Sequence, residues 1–202
     1  MAVGLFYKDI SVLKKAIKFL IQYFPNNNNL KIWDAGCGLG AEPLSISILL
    51  NNKQHKKYIN SFKIIASDID ECNLIEKLLN EAIVHKSDIR KIPKSTIKKY
   101  FISYYNQDYY LISQEIKDKI TFFQHNLISL LPLDFDFNMI ICKNVLNHIK
   151  KKYWIRIFKM FHSVLVNNGI LVLNNEHQLP SEIYDYFKKI SKKESIFLKK
   201  NY

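Results

Sequence analysis

The chain contains only five glycines, and three of them, Gly36, Gly38 and Gly40, fall within five positions. They follow a short apolar run at residues 30–33 and precede residues 41–50, which read as a helix. A strand, a glycine turn and a helix in succession restrict the fold sharply. Glycine takes the positive φ values that such a turn needs, and it lets a ligand approach bare backbone. The helix that starts near Ala41 aims its free N–H groups at that ligand. In an open α/β sheet the resulting crevice lies at the carboxyl ends of the strands.

The rest of the chain repeats that rhythm. Asp9 or Ser11 can cap a helix that runs to about Phe24, with Ile10, Leu13, Ile17, Leu20 and Ile21 at helical spacing, ended by Pro25 and four asparagines. Strands are expected at 62–66, 120–123, 138–142 and 170–173, and helices at 71–82, 153–166 and 182–190. Asn167-Asn168-Gly169 reads as a helix-stop turn, and 195–198 as a final edge strand. This alternation predicts a mainly parallel sheet covered on both faces, a Rossmann-like α/β fold in a single domain over residues 1–202. Residues 84–119 break the rhythm. They hold a short helix near 95–101 and the tyrosine-rich run Tyr104-Tyr105-Asn106-Gln107-Asp108-Tyr109-Tyr110, and are expected to form an inserted subdomain of two or three antiparallel strands.

Composition excludes some classes. No run approaches the roughly 18 apolar residues of a membrane span, and no signal peptide is legible at the N-terminus. The three cysteines, Cys37, Cys72 and Cys142, are far apart and form no CxxC pair, which points to a reduced, cytoplasmic protein. The six histidines show no metal-ligand spacing, so no metal is expected. The net charge of +12 fits a nucleic-acid or acidic protein partner, but also a lysine-rich surface in general. A base-amine methyltransferase is disfavoured because Cys142-Lys143-Asn144-Val145 has no Asp/Asn-Pro-Pro-aromatic segment; ribose or carbon methylation of nucleic acid stays open.

Two ligands suit the glycine loop. Gly36-x-Gly38-x-x-Ala41 satisfies a dinucleotide pattern, so a nicotinamide enzyme is one alternative. Asp34 ahead of the first glycine favours the other ligand: a carboxylate there repels a pyrophosphate but suits the ammonium of S-adenosylmethionine. The next strand ends at Asp68, which can accept both ribose hydroxyls. Strand-end capping would also explain these two acids.

Several blocks, in order, resemble the chemotaxis receptor methyltransferases of the CheR family, which methylate receptor glutamates. They are Gly4-Leu5-Phe6-Tyr7-Lys8-Asp9, Gly36-Cys37-Gly38-Leu39-Gly40-Ala41-Glu42-Pro43-Leu44-Ser45, Ala66-Ser67-Asp68-Ile69-Asp70, Asn126-Leu127 and Ile141-Cys142-Lys143-Asn144-Val145-Leu146. The resemblance implies S-adenosylmethionine as cofactor, a protein acceptor such as the cytoplasmic domain of a chemoreceptor, and roles for individual residues. Glu42 and the loop of Gly36, Gly38 and Gly40 would hold the methionine portion, and Asp68 the ribose. Asn126 and Leu127 would flank the adenine, and Lys143 and Asn144 would lie beside the sulfonium. Lys8 stands where the family keeps an arginine.

The sequence also departs from the family pattern. Gly4 replaces a threonine, Lys8 and Lys143 replace arginines and lose the bidentate fork, and His148 replaces a tyrosine near the acceptor. The family's N-terminal helical domain has no counterpart in these residues, which with His148 leaves open a small-molecule acceptor or a module that binds the cofactor without receptor methylation. The region 103–113 lacks the glycine-rich loop of members that dock a receptor tail. Methyl transfer to an ionised carboxylate needs alignment and exclusion of water rather than a general base. Lys8 or Lys143 could then steer the acceptor carboxylate, with Asn144 and His148 at its entrance. His148 could equally cap the following helix.

Overall fold

A computed structural model describes residues 4–26, 29–69, 80–174 and 179–201. The helix expected over 71–82 falls largely outside these, as do Asp70, Cys72 and His177.

Strands β1 (Leu30–Ala35), β2 (Phe62–Asp68), β6 (Ile120–Gln124), β7 (Phe137–Cys142), β8 (Leu165–Leu173), β9 (Phe187–Lys189) and β10 (Ile196–Lys199) form one seven-stranded sheet in the order β6-β2-β1-β7-β8-β10-β9. The first five in that order pair in parallel, while β10 runs antiparallel to both neighbours. Strand β7 is buried along its whole length, as a central strand covered on both faces must be.

Side chains alternate between the two faces. Leu30, Ile32, Ile64, Met139, Ile141, Ile170 and Val172 belong to the core that includes helices α1 (Ile10–Tyr23) and α2 (Ala41–Leu50). Trp33, Ile65, Ile140 and Leu171 belong to the core under the helix Trp154–Val164. Helix α1 buries Leu13, Ala16, Ile17 and Leu20, one helical stripe. Helix α2 is buried nearly all round, and its serines are satisfied locally: Ser45 Oγ donates to Ala41 O at 2.6 Å and Ser47 Oγ to Ile116 O at 2.8 Å. Pro43 sits in its first turn, where no intrahelical N–H is needed. On the other face, Phe158 and Phe161 are fully buried, each contributing roughly 1.5–3 kcal/mol.

A separate three-stranded antiparallel sheet is formed by β3 (Ile83–His85), β5 (Tyr109–Ile112) and β4 (Phe101–Tyr104), the last two flanking the tyrosine-rich run. Tyr104 pairs with Tyr109 and Ser103 with Tyr110, so these tyrosines occupy paired positions of the ladder.

Three expectations are corrected. Asn167-Asn168-Gly169 does not stop a helix but lies inside β8, where the register jumps from Phe137↔Leu165 to Met139↔Ile170. Asn168 (φ 60) forms part of this bulge, and a Cβ on Gly169 would stand 2.8 Å from Val166 O. The helix expected over 182–190 ends at Tyr186, because burying Phe187 against the sheet and pairing Lys189 with Phe197 favour a strand. The last strand, β10, is therefore interior and β9 forms the edge.

Candidate functional site

The two-residue period of the strands assembles the site. Asp34 lies on the Ile32 face of β1, Asp68 on the Ile64 face of β2, and Lys143 follows Ile141 at the end of β7. These strands are neighbours, with Asp34 paired to Ala66 on one side and Ile141 on the other. Three charged side chains thus meet at the carboxyl ends of adjacent strands, beneath the first turn of α2.

The glycine loop folds back over β2. Gly36 N and Cys37 N donate to Ser67 O at 2.7 and 3.0 Å, and Gly38 N donates to Asp68 Oδ2 at 2.8 Å. The other oxygen of Asp68 accepts from Ile69 N at 2.8 Å. Gly36 and Gly38 share positive φ (90 and 57) but differ in surroundings. A Cβ on Gly36 would stand 2.0 Å from Val145 Cγ2, whereas Gly38 has nothing within 4 Å. Gly36 is therefore required by packing, and Gly38 leaves room for a ligand.

Asp34 is fully buried, and neither of its carboxylate oxygens has a hydrogen-bond partner among the described residues. Burial, reinforced by Glu42 and only partly opposed by Lys143, holds its pKa well above the usual carboxylate range. An ammonium brought to the loop would supply the counter-charge it lacks. Lys143 is compensated: its Nζ lies 2.7 Å from Glu42 Oε2 and 3.3 Å from Asp9 Oδ2, and its side chain is 2% exposed. Burial works against its charge, but Glu42 and Asp9 outweigh that and keep its pKa above the ordinary lysine value. Burial also pushes both the Cys37 and Cys142 thiols up, so neither is a nucleophile.

These groups border a cavity of about 590 Å³. Lys8, Gly36, Gly38, Glu42, Asp68, Asn126, Leu127, Lys143, Asn144 and His148 all line it; Asp34 and Gly40 lie behind the lining. Asn126 caps a short 3-10 turn by accepting from Ile128 N at 3.0 Å, which sets Leu127 against the cavity. Asn144 adopts φ 60, and its Oδ1 accepts from Asn174 Nδ2 at 2.6 Å. His148 is exposed at the end of the turn Leu146–His148 and does not cap the next turn, whose N-cap is Lys150. Asp9 provides no helix cap either; its carboxylate turns to Lys143 instead. Sequence reasoning missed the Asp9–Lys143 pair, Asn174 and the apolar rim of Leu5, Ile69, Ile128 and Ile149, because a pairing across the fold and isolated apolar or amide residues carry no local signal. Among the described residues, no group of three His, Cys, Asp or Glu side chains is arranged for a metal, and no helix is long and apolar enough to cross a membrane.

The chain is similar to known proteins. The chain is 27% identical over 155 residues to a chemotaxis protein methyltransferase of Borreliella burgdorferi, covering 76% of this chain and 54% of that one. It is 27% identical over 164 residues to a chemotaxis protein methyltransferase of Klebsiella aerogenes, covering 79% and 55%. The chain thus spans about half the length of these relatives. A crystal structure of the glycopeptide N-methyltransferase MtfA complexed with S-adenosylmethionine superposes with a TM-score of 0.52 at 13% identity, covering 87% of this chain and 58% of that one; this likeness concerns the fold. The model of the CheR methyltransferase SAM-binding domain matches residues 6–196, so this chain belongs to that family.

Proposed function

We propose that the domain binds S-adenosylmethionine and transfers its methyl group to a carboxylate of a protein acceptor in the cytoplasm, with glutamates of a chemoreceptor cytoplasmic domain as the specific substrate. The observation that carries this reading is the charge pattern around one cavity. Asp34, behind the lining, has no hydrogen-bond partner among the described residues, Asp68 bridges the loop, and Lys8 is an exposed cation of the lining with no carboxylate partner among the described residues.

S-adenosylmethionine supplies a methyl group already activated on a sulfonium, so the chain must bind, align and shield. The loop of Gly36, Gly38 and Gly40, with Asp34 and Glu42, receives the amino-acid end. Asp68 receives the ribose hydroxyls with the lone pairs left over from Gly38 and Ile69. Asn126 and Leu127 bound the adenine, and Asn144 with the Lys143 backbone flanks the sulfonium. Lys143 holds Glu42 in place by its ion pair, which leaves Lys8 to attract the acceptor carboxylate. His148 stands at the entrance and can donate to that carboxylate. An acceptor carboxylate is ionised near neutral pH, so the transfer needs no general base.

Calorimetry with S-adenosylmethionine, S-adenosylhomocysteine and NAD tests the cofactor; binding of NAD alone would refute the reading. Incubation with methyl-labelled cofactor and a chemoreceptor cytoplasmic fragment tests the acceptor. Label released as methanol by mild base is expected, and base-stable label, or label in nucleic acid, would exclude carboxyl methylation.

A further inference from the structure

The segment 4–9 forms one wall of the cavity through Gly4, Leu5 and Lys8. Its path is set residue by residue. Phe6 is fully buried, meets Phe101 edge-on at 5.9 Å, and donates its N–H to Asp88 O at 2.9 Å. Tyr7 N donates to Ser45 Oγ of α2 at 3.1 Å. Tyr7 and Asp9 both adopt left-handed backbone, φ 56 and 52; aspartate tolerates it, but a tyrosine keeps it only where its surroundings impose it. These reversals leave Lys8 on the cavity wall and bring the Asp9 carboxylate to 3.3 Å from Lys143 Nζ. Glu42 already balances Lys143 one for one, so Asp9 is a second carboxylate on the same buried cation. It is not needed to neutralise Lys143. Its effect is to join the start of α1 to the end of β7.

We propose that Asp9 is a positioning residue: its ion pair with Lys143 latches the 4–9 segment to the strand ends and so holds the Lys8 ammonium over the cavity. This rests on the reading of Lys8 as the counter-charge of the acceptor. The latch separates two tasks that share one cation. On this reading Glu42, beside the glycine loop, serves the cofactor, and Asp9, next to Lys8, serves the acceptor.

Asp9→Asn isolates the charge, because asparagine tolerates left-handed backbone as well as aspartate does and has nearly the same volume. Lys143 keeps Glu42, and Asp9 is 43% exposed, so the fold is retained. Asp9→Glu restores the charge on a longer stem. Deuterium exchange of the peptide 4–13, S-adenosylhomocysteine affinity, and KM for the chemoreceptor fragment are compared. In Asp9→Asn the peptide should exchange faster and KM should rise about tenfold, with S-adenosylhomocysteine affinity changed less than about twofold; Asp9→Glu should recover most of the loss. Wild-type exchange and KM in Asp9→Asn would overturn the latch, and so would an equal loss of S-adenosylhomocysteine affinity. The exchange measurement needs no acceptor. If the wild type transfers no methyl group, the methyl-transfer reading fails while exchange still decides the latch.

Discussion

Replacing Asp34 with asparagine should stabilise the ligand-free domain as pH rises while weakening S-adenosylmethionine binding. Asp34 is 0% exposed, and both oxygens lack partners among the described residues. Its surroundings favour the neutral acid, through burial first and then through Glu42, with Lys143 a partial offset. The unfolded chain releases this proton near the ordinary carboxylate pKa of about 3.9, whereas the folded chain holds it to higher pH. The penalty is therefore absent at low pH, grows between the two values, and is complete above the folded-state value. In that window the wild type loses about 1.4 kcal/mol of stability per pH unit relative to a residue that does not titrate. The gap should widen at that slope from the ordinary carboxylate pKa upward and level off only once Asp34 ionises in the folded chain, each 1 kcal/mol of it worth about 2–4 °C in Tm for a chain of this size. The offset between the two curves depends on the asparagine amide, whose buried N–H group costs about 1–3 kcal/mol when unpaired. The slope is the diagnostic quantity. Urea unfolding of both proteins at three pH values in this window measures it. Saturating S-adenosylmethionine should flatten the wild-type slope, because its ammonium offsets the ionised carboxylate. Parallel pH profiles would refute the argument, and unchanged cofactor affinity in Asp34→Asn would remove Asp34 from the binding site.

Other perturbations separate packing from function. Lys143→Met should destabilise by about 3 kcal/mol at pH 7 in chemical denaturation, since it strands Glu42 beside Asp34. Because the folded-state pKa of Lys143 is raised, the wild-type advantage should be whole below about pH 10.4 and lost as pH rises through the folded value. Gly36→Ala should destabilise by about 3 kcal/mol or more, because the added Cβ would meet Val145 at 2.0 Å. Gly38→Ala should lower stability by only about 1–2 kcal/mol, the cost of left-handed backbone, yet reduce cofactor affinity about tenfold or more by calorimetry. Asn174→Ala should lower kcat several-fold with a smaller loss of S-adenosylhomocysteine affinity, because Asn144 loses the bond that orients its amide.

Much of the architecture was legible because it is encoded locally. The apolar stripe of α1, the runs that became β1 and β7, and the glycine cluster are each defined within about a dozen residues. Family resemblance added Asn126, Lys143 and His148, which carry no compelling signal alone. Errors arose where a local signal had two outcomes. Asn167-Asn168-Gly169 serves a turn or a bulge equally well, and pairing of β8 with β7 selected the bulge. Residues 187–189 can extend a helix or form a strand, and the unpaired edge of β10 selected the strand.

By itself the sequence determined the order of strands and helices, the position of the glycine loop and the acids that flank it, because residue spacing encodes which side chains share a face. The tertiary structure decided how those charges are used. Asp9, Glu42 and Lys143 come from separate parts of the chain, so only folding could show that Lys143 is already neutralised while Lys8 meets no carboxylate among the described residues. Likewise, only the closed core could show that Asp34 is shut off from solvent with no hydrogen-bond donor among the described residues. Charge pairing and desolvation depend on distances in space, and those distances exist only once the sheet has brought the ends of β2, β1 and β7 together.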